Sequence, residues 1–219
     1  MFEAAWTHLN LVNLHAHIAP TMAYADVVVR KAAEAHDIEL DPVIRLHFVE
    51  VQEPDMHDPS GDLRRLEDAL EFEWRLTNLA CDVRVLQQLQ QALRDGGWKV
   101  TVAVHGESQI IAVWPGFRER VHGIAIDVGS TTIAAHLCDL ASGEVVAAAG
   151  VMNPQIRFGE DLMSRVSYVM MNPGGEKEMT EAVRGAINEL AADVARQVGI
   201  QTADILEATF VGNPIMHHL

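Results

Sequence analysis

Two cysteines, Cys81 and Cys138, are all that the 219 residues contain. That scarcity excludes a disulfide framework, and two thiols cannot supply the four thiolates of an iron–sulfur cluster. Both read as small buried residues. Basic residues are outnumbered, 16 against 31 acidic, which leaves a net charge of −15. Such a balance repels phosphate backbones and argues against nucleic acid as a partner. A nucleotide remains compatible, because a local nest of backbone N–H groups and a metal ion override the global charge. Long apolar runs are also missing. Stretches such as the one ending at Val113 fall far short of the roughly 18–20 residues that a membrane span needs. The opening residues, MFEAAWTHLNLVNLHAHIAP, have no basic start before an apolar core and so do not read as a signal peptide. A cytoplasmic location is expected. There is no GK[ST] loop, which removes the Walker class of nucleotide sites, and there is no internal repeat.

What the chain does contain is 49% hydrophobic and 21% charged residues. That is the composition of a globular protein with one or two domains and enough length to bury a core. Residues 1–42 are poorly defined as a pattern, with a short helix expected at Val27 to Asp37. Val43 to Val51 alternates apolar and polar residues and predicts a strand. The loop QEPDMHDPSGD follows and reads as a solvated acidic surface. Asp62 is the expected N-cap of a helix with Leu63, Leu66, Leu70 and Trp74 as its buried stripe. A second helix from Asp82 carries Val85, Leu86, Leu89 and Leu93 on one face and ends at Gly96-Gly97. Strands are expected at Trp98 to Val104 and Gln109 to Trp114. Residues 43–119 therefore read as a small α+β domain with no chemistry of its own.

From Gly123 three strands come in quick order, Ile124 to Val128, Thr132 to Asp139 and Glu144 to Met152. Helices are expected at Glu160 to Met170 and Lys177 to Val198, separated by NPGG, and a last strand at Ala208 to Val211. The residues that promise chemistry are Asp127, Gly129, Ser130, Thr131 and Thr132. An acidic residue at the end of a buried strand is costly unless a cation or hydrogen bonds compensate it. Gly129 permits a tight turn and a close approach of backbone to ligand. Successive N–H groups in such a turn point at phosphate oxygens, with the hydroxyls as added donors. Asp127 is the expected Mg²⁺ ligand and catalytic carboxylate, acting through water because that ion keeps most of its hydration shell. A plain hairpin turn beginning with Asp is the bland alternative.

The run GIAIDVGSTTIAAHLCDLASGEVVAAAGVMNPQIRFGEDLMSRVSYVM resembles the reductive activators of corrinoid proteins. The matching pieces are the DxG(S/T)TT loop, NPQ at Asn153 to Gln155, GEDLMSR at Gly159 to Arg165, and VGNPIMHHL at the end. DPSGDLRRLEDAL, the second helix and WKVTV resemble the middle region that precedes the ATPase domain in such proteins, so the resemblance covers about Val27 to Leu219. It implies an α/β fold: the N-terminal half of an actin-like, ribonuclease H-like ATPase domain at 120–219, preceded by a small α+β middle domain at 43–119. It also implies ATP and Mg²⁺ at the Asp127–Thr132 loop, and a corrinoid protein or corrinoid-dependent methyltransferase as partner. ATP hydrolysis in this family drives an uphill electron transfer from a [2Fe–2S] cluster in a ferredoxin domain to Co(II) corrinoid. The cysteines of that cluster are absent here. The resemblance stops before an actin-like fold is complete, so the chain is expected to carry half an ATP site and not to work alone. A small-molecule kinase of the same superfold and a non-catalytic module are the other readings.

Other residues carry weaker signals. His15-Ala16-His17 has the spacing of a metal hydrolase without the later ligands such a site needs. His217-His218 reads as loop or packing. Asn213 follows a strand and a glycine, where it can lie near a ligand. Glu160 and Asp161 read as helix-capping acids, and Arg165 as the partner of one of them.

Overall fold

The computed structural model describes residues 41–216; the expected helix at Val27 to Asp37, the His15–His17 pair and His217-His218 lie outside them. The described residues form two four-stranded sheets, each covered by helix on one face. The first contains β1 (Ile44–Glu50), β2 (Ala80–Cys81), β3 (Lys99–His105) and β4 (Gln109–Pro115) in the order β1-β3-β4-β2. Helices α1 (Asp62–Trp74) and α2 (Val83–Asp95) lie against it. Their fully buried Leu66, Leu70 and Leu93 meet Val49, Val100, Val102 and Ile110.

Three local expectations are corrected here. Asp62 is the first residue of α1 rather than its cap; Gly61 is the N-cap and makes no side-chain bond. Asp62 instead receives Arg94 at 3.2 Å. Trp74 is 46% exposed, because α1 ends there and Arg75 turns left-handed (φ 60°). Its indole lies over β1, donating to the Phe48 carbonyl at 3.0 Å and meeting His47 edge-on. Leu86 is exposed as well. It sits off the narrower stripe formed by Val85, Leu89 and Leu93. The acidic loop is exposed as expected but tethered. Arg65, itself buried, donates to the carbonyls of Glu53, Asp58 and Ser60 and pairs with the Asp58 carboxylate at 2.9 Å. Cys81 and Cys138 are half-buried strand residues in different sheets, and neither is in a disulfide.

The second sheet is built from β5 (His122–Val128), β6 (Thr132–Asp139), β7 (Val145–Met152) and β8 (Ile205–Gly212) in the order β7-β6-β5-β8. β5, β6 and β7 pair antiparallel as consecutive hairpins, whereas β8 returns parallel to β5. A parallel return requires a crossover, which α3 (Leu162–Met171) and α4 (Gly175–Val198) supply. Alternation sends Ile124 and Ile126 of β5 and Ile133, Ala135 and Leu137 of β6 to one face, against Ala186, Leu190 and Val194 of α4. A small cluster of Ile44, Ala103 and Val121, with Trp114, Leu140 and Leu206 beside it, joins the two units. Arg118 also pairs with Asp204 across this junction at 2.9 Å. Among the described residues no helix is long and apolar enough to cross a membrane.

Candidate functional site

The central strand β5 ends in Asp127 and Val128, and the chain turns through Gly129–Thr131 into β6. Asp127 pairs with Ala134 on one side and Val211 on the other. It faces away from the α4 core and is exposed. The premise of a buried carboxylate needing a cation is thereby corrected: solvation already compensates its charge. Gly129 closes the turn, its N–H donating to the Thr132 carbonyl at 3.0 Å. A Cβ at Gly129 would stand 2.7 Å from that same carbonyl oxygen, so no other residue fits without moving the loop.

Three successive carbonyls of the turn are captured from one side. Asn153 Nδ2 donates to the Gly129 carbonyl at 2.8 Å. Arg165 Nη2 donates to the Ser130 carbonyl. The Asn153 backbone N–H donates to the Thr131 carbonyl at 2.8 Å. A trans peptide carries its C=O and the next N–H on opposite sides, and the described chain has no cis peptide. The N–H groups of Ser130, Thr131 and Thr132 therefore turn away from this scaffold. Three successive donors presented together, beside hydroxyls and below an exposed carboxylate, suit phosphate oxygens and a hydrated Mg²⁺. The four predicted loop residues and Asp127 are thus brought together as one turn. The group Asn153, Gln155 and Arg165 that holds it was not foreseen from the sequence in that role.

Each member of that group has a local reason. Asn153 is fully buried and uses both ends of its amide, since Oδ1 accepts from the Gln155 N–H at 2.9 Å. It caps a 3-10 turn at Pro154–Phe158 with proline in the first position, where a missing N–H costs nothing. Gln155, 1% exposed, accepts from Arg165 Nη1 at 3.4 Å and donates to the Met179 carbonyl at 3.4 Å. At Gly159 a Cβ would lie 2.7 Å from the Arg165 nitrogen, and its carbonyl takes Arg165 Nε at 3.0 Å. Asp161 is the N-cap of α3, accepting from the Ser164 N–H at 2.7 Å. Those bonds hold its carboxyl below the ordinary range. Helix capping is therefore the role of Asp161, and Glu160 lies outside the helix.

The expected pairing of Arg165 with one of these acids is corrected. Its guanidinium, 0% exposed, hydrogen-bonds to neutral acceptors: the Gly159 and Ser130 carbonyls, Gln155 and the Met216 sulfur. Burial pulls its pKa down, opposed through space by Asp161. A signal was available: Arg165 is the single charged residue in the apolar helix LMSRVSYVMM. Asn213 makes an ordinary turn, its side chain accepting from the Met216 N–H at 3.0 Å. A cleft of about 490 Å³ beside the loop is lined by Val128, Gln155, Arg184, Asn188 and Phe210, among others. No cluster of three or more His, Cys, Asp or Glu suited to a metal occurs among the described residues, and the two cysteines do not fit an iron–sulfur cluster.

Two family models match consecutive stretches of the chain. The RACo linker region covers residues 33–120 and the RACo middle region residues 122–219. In those terms the first unit is the linker and the unit with the loop is the middle region. The chain is 30% identical over 140 residues to the "Corrinoid activation enzyme RamQ" of Eubacterium limosum, covering 63% of this chain and 24% of that enzyme. It superposes on a solved "Reductive activator for corrinoid,iron-sulfur protein" with a TM-score of 0.68 and 35% identity, over 83% of this chain and 30% of that one. The chain therefore spans about a quarter to a third of the length of these relatives. With both models lying end to end along it and an α/β fold in common with the solved activator, the chain belongs to the family of reductive activators of corrinoid proteins.

Proposed function

We propose that this chain supplies the phosphate half of an ATP site in an activator of a corrinoid protein. The observation that carries it is the backbone of the turn: three carbonyls are held from behind, so three N–H groups face outward next to Asp127. In this reading Ser130, Thr131 and Thr132 bind phosphate oxygens through their amides and hydroxyls, and Gly129 lets the ligand approach the backbone. Asp127 would hold a hydrated Mg²⁺ through one of its waters and orient that water as a catalytic group, and the ion would supply positive charge at the phosphates. Bound ATP supplies the free energy of hydrolysis that drives an otherwise uphill reduction of a Co(II) corrinoid. The electron for that reduction would have to come from a donor outside these residues, whose two cysteines cannot hold an iron–sulfur cluster. The residues 43–119 then act as a spacer and 120–219 as the nucleotide unit. A corrinoid protein is the partner that the names of the relatives favour.

Calorimetric titration of the protein with Mg-ATP, and with inorganic tripolyphosphate plus Mg²⁺, tests the reading. Tripolyphosphate needs no adenosine pocket. Binding of both is expected, with Asp127→Ala weakening the Mg²⁺-dependent part by about tenfold or more. A protein that takes up neither phosphate, or whose affinity is indifferent to Asp127→Ala, would sink it.

A further inference from the structure

Arg165 and Arg65 are both buried guanidiniums that donate to backbone carbonyls, but they differ in one respect. Arg65 is neutralised by the Asp58 carboxylate at 2.9 Å. Among the described residues Arg165 has no carboxylate within ion-pair distance; each of its hydrogen-bond partners is neutral. A buried positive charge with no carboxylate in contact, and only Asp161 acting on it through space, is costly, and arginine does not escape the cost by losing its proton. It lies one peptide behind the outward N–H of Thr131, because the Ser130 carbonyl it holds belongs to the same peptide unit.

We infer that Arg165, together with Asn153, is a positioning residue for phosphate: the pair aims the amides of Ser130, Thr131 and Thr132, and the Arg165 charge awaits an anion bound on the far side of the turn. This rests on the phosphate reading above and names the residues that make the turn a binding device rather than a plain hairpin. The guanidinium polarises the Ser130–Thr131 peptide, making its N–H a stronger donor toward an anion. Asn153 fixes the peptides on either side. Gln155 and Gly159 orient the guanidinium, which gives NPQ and GEDLMSR a shared task. A fork is required because three separate acceptors are reached at once, so lysine cannot replace it.

The test uses the ¹⁵N-labelled 219-residue chain and its Arg165→Gln, Arg165→Lys and Asn153→Asp variants. Asn153→Asp keeps the acceptor that caps Gln155 and replaces the donor to Gly129 with a carboxyl oxygen, at the cost of burying an acidic group. It perturbs the turn from a different side than the Arg165 variants, so each answers where the other fails to fold. Order parameters of the Ser130, Thr131 and Thr132 amides are expected to fall from about 0.85 toward 0.6 in the variants. Those of Ile126 and Leu137 should stay unchanged. Affinity for Mg²⁺-tripolyphosphate should fall about tenfold or more, with no rescue by lysine. Wild-type rigidity at those three amides in Asn153→Asp and in any folded Arg165 variant would overturn the positioning role, even with phosphate bound. A wild-type chain that binds no tripolyphosphate, yet whose turn loosens in the variants, would overturn the phosphate reading and leave the aiming of the amides supported.

Discussion

Gly129 and Arg165 illustrate how much a single position decides in this molecule. Gly129→Ala places a methyl group 2.7 Å from the Thr132 carbonyl oxygen, so the turn must open. Overpacking of this kind costs about 1–3 kcal/mol. A lower melting temperature and loss of Mg²⁺-tripolyphosphate binding are expected, measured by thermal denaturation and calorimetry. His47 and His122 set a pH dependence of the fold. Both are buried; neither nitrogen of His47 and not Nδ1 of His122 finds a hydrogen-bond partner. Burial pushes both imidazoles below 6.5, Arg45 adding to the effect at His47. In the unfolded chain each regains a pKa of about 6.5 and takes up a proton before the folded form does. The stability tied to the neutral rings is therefore intact above pH 6.5 and declines as the pH falls below it. Melting curves from pH 8 to 5 should reveal this decline, with a smaller one in His47→Phe. Equal declines in both proteins would remove His47 as a cause.

Among the elements, β6 and α3 carry opposite lessons. β6 follows its hydropathy: Ile133, Ala135 and Leu137 alternate into the α4 core, as a period of two demands. Leu137→Ala should cost about 2–5 kcal/mol through lost burial and a cavity, read from urea unfolding. A cost under about 1 kcal/mol would mean the core closes around the gap. α3 inverts its hydropathy. It buries Arg165 and exposes Met163, Met170 and Met171, because the acceptors of the turn, not the apolar core, choose which face points inward. Its cap is conventional, and Asp161→Ala should lower the melting temperature by removing the acceptor of the Ser164 N–H. That loss should also loosen Arg165 one turn later, seen as weaker phosphate binding at a temperature where the variant remains folded.

At the scale of the whole molecule, two sheets share a small apolar junction around Ile44, Ala103 and Val121. The Arg118–Asp204 pair beside it is partly exposed on both sides, so Arg118→Ala should cost no more than about 1 kcal/mol. Val121, 2% exposed, is a stricter test. Val121→Asp buries a charge in the junction and should split one calorimetric transition into two, as separate units melt independently. A single unchanged transition would show that the junction does not couple them.

Most of the strands and helices were legible in the sequence, because apolar periodicity and turn residues are local. The hairpin of β5 and β6, the alternation of Ile133 to Leu137 and the NPGG break before α4 all follow from neighbours in the chain. Trp74 and Leu86 were misread because periodicity predicts a helix face but not how wide a stripe the partner sheet covers. The loop Asp127–Thr132 could likewise be named from Gly129 and its hydroxyl neighbours. Its orientation could not. Asn153 lies 24 residues and Arg165 35 residues beyond their carbonyl partners, and hydrogen bonds over such separations leave no periodic trace. The amino-acid order by itself determined that a tight, glycine-dependent turn follows a strand carrying Asp127 near its end. Only the tertiary structure decided which way the peptides of that turn face, since the groups that hold its carbonyls meet it after the chain has crossed back over β7 and into α3.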